Sequence, residues 1–296
     1  MPDKLTYKTL LENYGTEDQC LDQIKEICFP DGIHCEKCNK VTKHYRIKSK
    51  KVYACRFCRI QVSPLAGTIF EKTTTPLKFW FYAIFIISNT RSGVSAKQLQ
   101  RELGVTYKTA WRMFKQIRML MAEVGNPLTG EVEVDETFVG GKGKNRRNEW
   151  RDAYTKPKEI LMGMVERGGR VYIKHVPNTG KWTLLNQIKQ NVSPKARILT
   201  DEWMAYKNLH KFGYLHDAVN HSALEFVRGD IYTQNIENVW SHFKRGVTGV
   251  YRIVSKKYLQ AYADEYAFRY NHRKEQPEMF NLLLKQISAI TYTKIK

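Results

Sequence analysis

From Glu131 to Gly141 the chain alternates, with Val132 and Val134 on one side of an extended segment and Glu133, Asp135 and Thr137 on the other. The pair Gly140-Gly141 closes it, so the run predicts a strand. Two more strands are predicted at Ile160–Glu166 and Arg170–Pro177, turned by Gly168-Gly169 as a hairpin. Trp182 to Gln190 reads as a helix, Ala196 to Leu199 as a strand running out at Thr200-Asp201, and Glu202 to Lys211 as a further helix. Tyr214 to Val219 is again strand-like. From Asn235 to Arg245, Ile236, Val239 (or Trp240) and Phe243 recur at helical spacing and predict a helix laid on a sheet.

Upstream, residues 1–27 carry a helical pattern on Leu10, Leu11, Tyr14, Leu21 and Ile24, and Pro76 to Ser88 is apolar nearly all round, as a buried helix would be. Two short helices follow, Ala96–Leu103 and Thr106–Arg118, broken at Gly104, with Ser95 and Thr106 as N-caps and Leu99, Leu103, Val105, Ala110 and Met113 or Phe114 between them. That is a helix-turn-helix pattern or a generic helical hairpin. Gly125 to Gly130 marks a linker. Tyr258, Tyr262, Tyr266 and Tyr270 form a stripe of the kind that packs in a core, and Pro277 to Ile290 reads as a closing helix on the catalytic domain or on a second protomer.

The order βββαβαβα from residue 131 onward is that of a ribonuclease-H-like domain, mixed α+β/α/β, which brings the first and fourth strands side by side. The expected organisation is a helical segment (1–27), a zinc ribbon (28–65), a helix-turn-helix domain (66–125), the ribonuclease-H-like catalytic domain (126–275) and a C-terminal helix and tail (276–296).

An acid in mid-strand changes that picture, because a buried unpaired carboxylate costs several kcal/mol, roughly, unless a cation offsets it. A solvent-facing edge strand is the alternative. With the strands paired as expected, Asp135 and Asp201 become neighbours, and Glu237 flanks the apolar stripe of the last helix and leans toward them. Lys244 lies two turns further on the same helical face. A solvated Glu237 and Lys244 on an amphipathic helix is the plainer reading of that helix alone. Together the three acids predict a two-metal site holding Mg²⁺ or Mn²⁺ for in-line phosphoryl displacement, with Asp135 bridging both ions and Lys244 touching phosphate. Glu133 and Glu136 rival Asp135; Glu133 shares its face and Glu136 points away.

Cysteine spacing adds a second metal. Cys35-Glu36-Lys37-Cys38 and Cys55-Arg56-Phe57-Cys58 have the spacing of a closed structural zinc site, with His34 and His44 as spare ligands and Cys20 and Cys28 outside it. Charge adds a partner: 49 Lys and Arg against 29 Asp and Glu give +20 over 296 residues, which points to nucleic acid before a membrane surface. The longest apolar run, Phe79 to Ile87, is too short to span a bilayer, and the N-terminus has no signal-peptide core, so the protein is expected inside the cell. Lys48, Lys50, Lys51 and Arg56 on the ribbon, Thr106, Tyr107, Lys108, Arg112 and Lys115 on the second short helix, and Arg245 are the candidate DNA contacts.

The runs Val134–Lys142, Thr200-Asp201-Glu202 with Tyr206, His221-Ser222, Asn235–Trp240 with Lys244-Arg245-Gly246, and Phe268–Arg273 resemble the DDE transposases of the Merlin superfamily and its bacterial insertion-sequence relatives. Gly67-Thr68-Ile69-Phe70 and the four cysteines fit as well. The resemblance implies cut-and-paste transposition: binding of terminal inverted repeats, Mg²⁺-dependent cleavage, strand transfer to target DNA, and at least a homodimer on paired ends. It maps the three acids onto Asp135, Asp201 and Glu237 and the following base onto Lys244. Many relatives carry His-Thr-Asn before the third acid; here the run is Tyr232-Thr233-Gln234, which leaves Glu237 as the carboxylate in place. The implied location is the nucleus in a eukaryotic host and otherwise the cytoplasm. The alternatives are a domesticated, non-catalytic DNA-binding protein and a nuclease acting on RNA or hybrid.

Overall fold

The computed structural model describes residues 5–123, 125–140, 158–201, 203–219, 227–275 and 278–289. In chain order these carry α1 (Tyr7–Tyr14), α2 (Glu17–Cys28), β1 (His34–Cys35), β2 (Lys40–Val41), β3 (His44–Ile47), β4 (Val52–Cys55), β5 (Gln61–Val62), α3 (Leu77–Asn89), α4 (Ala96–Leu103) and α5 (Tyr107–Met119). Then come β6 (Glu131–Val139), β7 (Glu159–Glu166), β8 (Val171–Val176), α6 (Lys181–Asn191), β9 (Arg197–Asp201), β10 (Leu215–Val219), α7 (Gln234–Gly246), α8 (Leu259–Asn271) and α9 (Met279–Ala289). Glu202, His221-Ser222 and the basic run 142–157 lie outside the described residues. The chain divides into two compact units, residues 1–121 with 274–296, and residues 122–273.

In the first unit the N-terminal segment is two helices. Thr6 and Thr16 each start one with a capping box, reciprocated by Thr9 and Gln19. Each capping threonine begins a fresh helix, so the single helical pattern of the sequence is cut between Tyr14 and Glu17. Antiparallel pairs β1–β2 and β3–β4–β5 form the ribbon. Ser95 and Thr106 cap α4 and α5 by accepting from the backbone N–H of Gln98 and Thr109, and Gly104 joins them at φ +66°, left-handed backbone that glycine adopts without strain. Leu99, Ala110, Met113 and Phe114 are buried. The closing helix α9 packs on α2 and α3, with the Phe280 ring 6.3 Å from Phe81 and 5.7 Å from Tyr14.

The second unit is a five-stranded sheet in the order β10-β9-β6-β7-β8. β6, β7 and β8 run antiparallel; β9 joins β6 in parallel and β10 joins β9 in parallel. One face (Val132, Val134, Met162, Met164, Ile198) packs on Leu184, Leu185 and Ile188 of α6. The other (Leu161, Val165, Val171, Ile173) packs on Ile236, Val239, Trp240 and Phe243 of α7 and on Leu259, Ala263 and Tyr266 of α8. Of the tyrosine stripe, Tyr266 is buried in that face and Tyr262 and Tyr270 pack half-buried against it, while Tyr258 stands outside the cluster. One expected helix is absent. Over the stretch Glu202–Lys211, where the sequence predicts a helix, the described residues form two short 3-10 turns, Met204–Tyr206 and Leu209–Phe212. The Trp203 N–H turns back to the Asp201 carboxylate at 3.1 Å, and Asn208 breaks the backbone between the turns, so no i→i+4 ladder builds.

Candidate active site and zinc site

Strand β6 sets out three acids on one face. Glu131, Glu133 and Asp135 alternate with Val132 and Val134, whose burial against α6 fixes which way the acids point. The three then meet different partners. Glu131 accepts from Arg167 Nη1 at 2.7 Å and from Arg197 Nη1 at 2.8 Å. Glu133, with 0% exposure, accepts from Arg167 Nε at 2.9 Å, from the backbone N–H of Asn235 at 2.8 Å and Ile236 at 3.1 Å, and from Asn235 Nδ2 at 2.8 Å. Those backbone groups are orphan donors at the start of α7, where Thr233 at the N-cap position makes no side-chain cap. A carboxylate from the neighbouring sheet does the capping instead. Arg167 completes the clamp: it donates to the carbonyls of Asp230 and Tyr232 and lies 3.7 Å over the Tyr232 ring.

Among the described residues no arginine pairs with Asp135. The Trp240 indole N–H donates to its Oδ2 at 2.9 Å. Burial pushes its carboxyl up to about 6, against the hydrogen bonds from Glu136 N–H and Trp240, and the charges of Asp201 and Glu237 raise it further. The parallel β6–β9 ladder ends at the pair Glu133 and Leu199, and Asp135 and Asp201 each lie two residues beyond it, near enough for the Asp201 charge to act on Asp135. Glu237 stands in the first turn of α7 and accepts from the Thr233 hydroxyl at 3.3 Å. Among the described residues no Lys, Arg or His forms an ion pair with Asp135, Asp201 or Glu237. Asp135 feels the charges of Asp201 and Glu237, yet among the described residues only the four cysteines bring three or more ligand atoms within 4.8 Å of one another.

Glu136 faces α6, bonded by the Tyr206 hydroxyl; burial, then Asp135 and Asp201, push it up to about 8. Gly163 of β7 lies opposite Asp135 in the antiparallel register. A Cβ there would fall 2.5 Å from Ile236 Cδ1 and 2.6 Å from Trp240 Cζ2, so only glycine lets α7 lie this close. Sequence reasoning missed the parts played by Gly163, Trp240 and Arg167. A lone glycine inside the apolar run Ile160–Val165 was the available signal for the first.

On the ribbon, Cys35 Sγ lies 3.3 Å from Cys58 Sγ, and Cys38 Sγ 3.9 Å from Cys55 Sγ. The residue after each C-x-x-C, Asn39 and Arg59, is left-handed at φ +48° and +63°, so the two knuckles turn alike. The backbone N–H of Cys58 and then the Thr42 hydroxyl hold the Cys55 thiol down to about 5, ready as a thiolate. His34 and His44 stand outside this group, and burial pushes Cys20 and Cys28 up to about 12 and about 11, as inert thiols. The donor set fits one tetrahedral zinc ion.

The expected DNA contacts are divided. Lys48, Lys50, Arg56, Thr106, Tyr107, Lys108, Lys244 and Arg245 are exposed. Lys51 pairs with Glu17 at 2.6 Å, Arg112 lies 5.9 Å over the Trp80 ring, and Lys115 is half-buried. No helix among the described residues is long and apolar enough to cross a membrane.

Known proteins share this pattern. A model of the ISXO2-like transposase domain matches residues 127–271, and one of the transposase zinc-ribbon domain matches residues 15–61. The chain is 24% identical over 274 residues to an uncharacterised protein in transposable element ISH50 of Halobacterium salinarum, covering 88% of this chain and 92% of that one. A chain in the simian T-cell lymphotropic virus intasome in complex with PP2A regulatory subunit B56 gamma is similar at 12% identity and a TM-score of 0.30, over 62% of this chain and 65% of that one, just under two thirds. That last likeness is too low to carry any argument. With its ribbon and its larger domain both matched by models of one kind, the chain belongs to the IS1595 family of transposases.

Proposed function

We propose that the protein is a DDE transposase that binds the terminal inverted repeats of its element and carries out Mg²⁺-dependent strand cleavage and transfer. The observation that carries this is the contrast along one strand face: Glu131 and Glu133 are held by arginines and, at Glu133, by backbone N–H groups as well, while Asp135, half-buried near Asp201 and Glu237, is met by two neutral donors, the Trp240 indole and the Glu136 N–H. A carboxylate raised by two neighbouring acids, with no basic partner for any of the three among the described residues, suits a hard divalent cation. Asp135, Asp201 and Glu237 would hold the ions. When bound, Mg²⁺ or Mn²⁺ supplies Lewis-acid activation of the attacking and leaving oxygens of an in-line phosphoryl displacement.

The chain's own residues prepare that chemistry. Trp240 fixes Oδ2 of Asp135 with a neutral donor and so leaves the carboxylate its charge. Glu133 and Gly163 seat α7, which carries Glu237 at its start and exposed Lys244 two turns on, placed to meet a phosphate. The sheet order with an antiparallel β6–β7–β8 and parallel β9 and β10 supports the ribonuclease-H-like reading. The α4–α5 pair supports a helix-turn-helix that offers Tyr107 and Lys108 to duplex DNA, beside the basic ribbon face. Two element ends need two active sites, so a homodimer is the smallest working assembly.

The test is a nicking assay on duplexes carrying the inverted repeats that flank the gene. D135N, D201N and E237Q each abolish Mg²⁺-dependent nicking while duplex binding persists. Undiminished nicking by D201N overturns the assignment.

A further inference from the structure

Beside the second acid lies an aromatic surface that the catalytic reading leaves unused. Trp182, Trp203 and Met204 are 63%, 48% and 71% exposed. Trp203 is held in place: its backbone N–H donates to Asp201 Oδ1 at 3.1 Å and its indole N–H to the Thr179 carbonyl at 3.4 Å. Thr179 directly precedes Gly180, the N-cap of α6, and the helix then opens Lys181-Trp182. Trp203 is thus tied to the end of α6 that presents Trp182. The Trp182 ring meets Phe212 edge-on at 6.1 Å; Lys181 Nζ stands 5.3 Å from the first ring and 5.6 Å from the second, and Lys189 Nζ 4.8 Å from the second. Lys207 and Lys211, on the same stretch of 3-10 turns, are exposed.

We propose that Trp203 and Trp182 form a stacking platform for a nucleobase displaced from the duplex at the cleaved end. Exposed aromatic faces interleaved with lysines match the two halves of a nucleotide, a π-face and a phosphate. A paired base inside a duplex shows only its edges, so such a platform takes an unpaired or terminal base. Its position assigns the step: Trp203 is bonded to the carboxylate of Asp201, so a base stacked there belongs to a nucleotide next to the phosphate under attack. The charge of the surface also favours a polyanion over a second copy of this basic chain.

The proposal rests on the nucleic-acid reading above and is tested apart from catalysis. The full zinc-loaded chain is titrated by fluorescence anisotropy against a blunt duplex and against the same duplex ending in an unpaired thymidine arm. The wild type binds the armed duplex more tightly. W203A and W182A, both at exposed side chains, lose roughly 5- to 150-fold on the armed duplex, the range for one base–aromatic stack, and nothing on the blunt one. W203F keeps most of the preference. A wild type that does not distinguish the two duplexes, or a W203A that keeps the preference, overturns the platform while blunt-duplex binding and the D201N assay still judge the transposase reading. If W203A instead weakens self-association in sedimentation velocity with the preference intact, the surface joins protein to protein and the proposal fails.

Discussion

Glu133 is the most exposing place to perturb the second unit, because one side chain joins β6, Arg167 and the start of α7. E133A would remove the acceptor of four hydrogen bonds and leave Arg167, whose side chain is 14% exposed, without its buried counter-charge. Breaking such a pair from one side costs about 3–5 kcal/mol of unfolding free energy. E133Q keeps the shape and one acceptor oxygen but turns an amide NH₂ toward groups that are all donors and drops the charge facing the helix N-terminus, a loss of about 1–3 kcal/mol. Urea unfolding of the full chain reads the global change; hydrogen exchange of the amides of residues 235–239 reads the local one. Both variants should expose the first turn of α7, and E133Q should lower Mg²⁺-dependent nicking with Asp135, Asp201 and Glu237 all intact. In a double-mutant cycle, R167M added to E133Q should cost less than it does alone, because the guanidinium has already lost its Glu133 partner and keeps only Glu131 and the two carbonyls. An E133Q protein within about 0.5 kcal/mol of wild type, with unchanged exchange at α7, refutes the capping role.

Three further outcomes follow from named contacts. G163A drives a methyl group into Ile236 and Trp240, so it should cost about 1–3 kcal/mol and slow nicking, with G163V worse on both counts; wild-type stability in G163A would show that α7 yields freely. Treating the chain with a chelator, or making C58S, should release one zinc and unprotect the ribbon amides while β6 to β9 keep their protection; full exchange protection of β4 without metal would refute a structural zinc. Asp264 in α8 is pushed up to about 6 by burial, against the Gln260 hydrogen bond and Lys174. The folded state therefore binds its proton more tightly than the unfolded chain does at 3.8, and stability falls as pH rises from about 4 to about 6. D264N should gain at most about 3 kcal/mol near pH 8 and nothing near pH 4; a gain equal at both ends would show that ionisation plays no part.

Much of the second unit was readable because its signals are local. Strand alternation at β6 and the apolar stripe of α7 depend only on residues two to four apart, and the burial that selects them follows the same period. The segment 203–212 misled for the opposite reason. Its composition suits a helix, but the Asp201 carboxylate and Asn208 redirect its backbone through particular hydrogen bonds that propensity does not register. Basic residues show the same divide. Lys48 and Lys108 are as open as charge alone suggests, whereas Lys51 and Arg112 are drawn to Glu17 and to the Trp80 ring, each a long way off along the chain.

The acids carry this furthest. Glu131, Glu133 and Asp135 are equivalent to any rule that reads spacing, since all three sit on one face of one strand. What separates them is the company that the fold brings. Arg167 and Arg197 arrive from the β7 turn and from β9 and neutralise the first. The α7 N-terminus, 102 residues on, arrives at the second and turns it into a cap. The third is met by Trp240, a neutral donor, and by two more acids. Arginine and backbone N–H groups spend a carboxylate on holding the structure, whereas an indole positions one and leaves its charge available. The division of labour along β6 is therefore set by the partners, and swapping them is the sharpest way to move it. Replacing Trp240 by Arg would give Asp135 what Glu131 already has, and the site should lose its affinity for Mg²⁺ while the sheet gains an ion pair. If W240R still nicked DNA at the wild-type rate, the lack of a cation beside Asp135 would have no bearing on its chemistry.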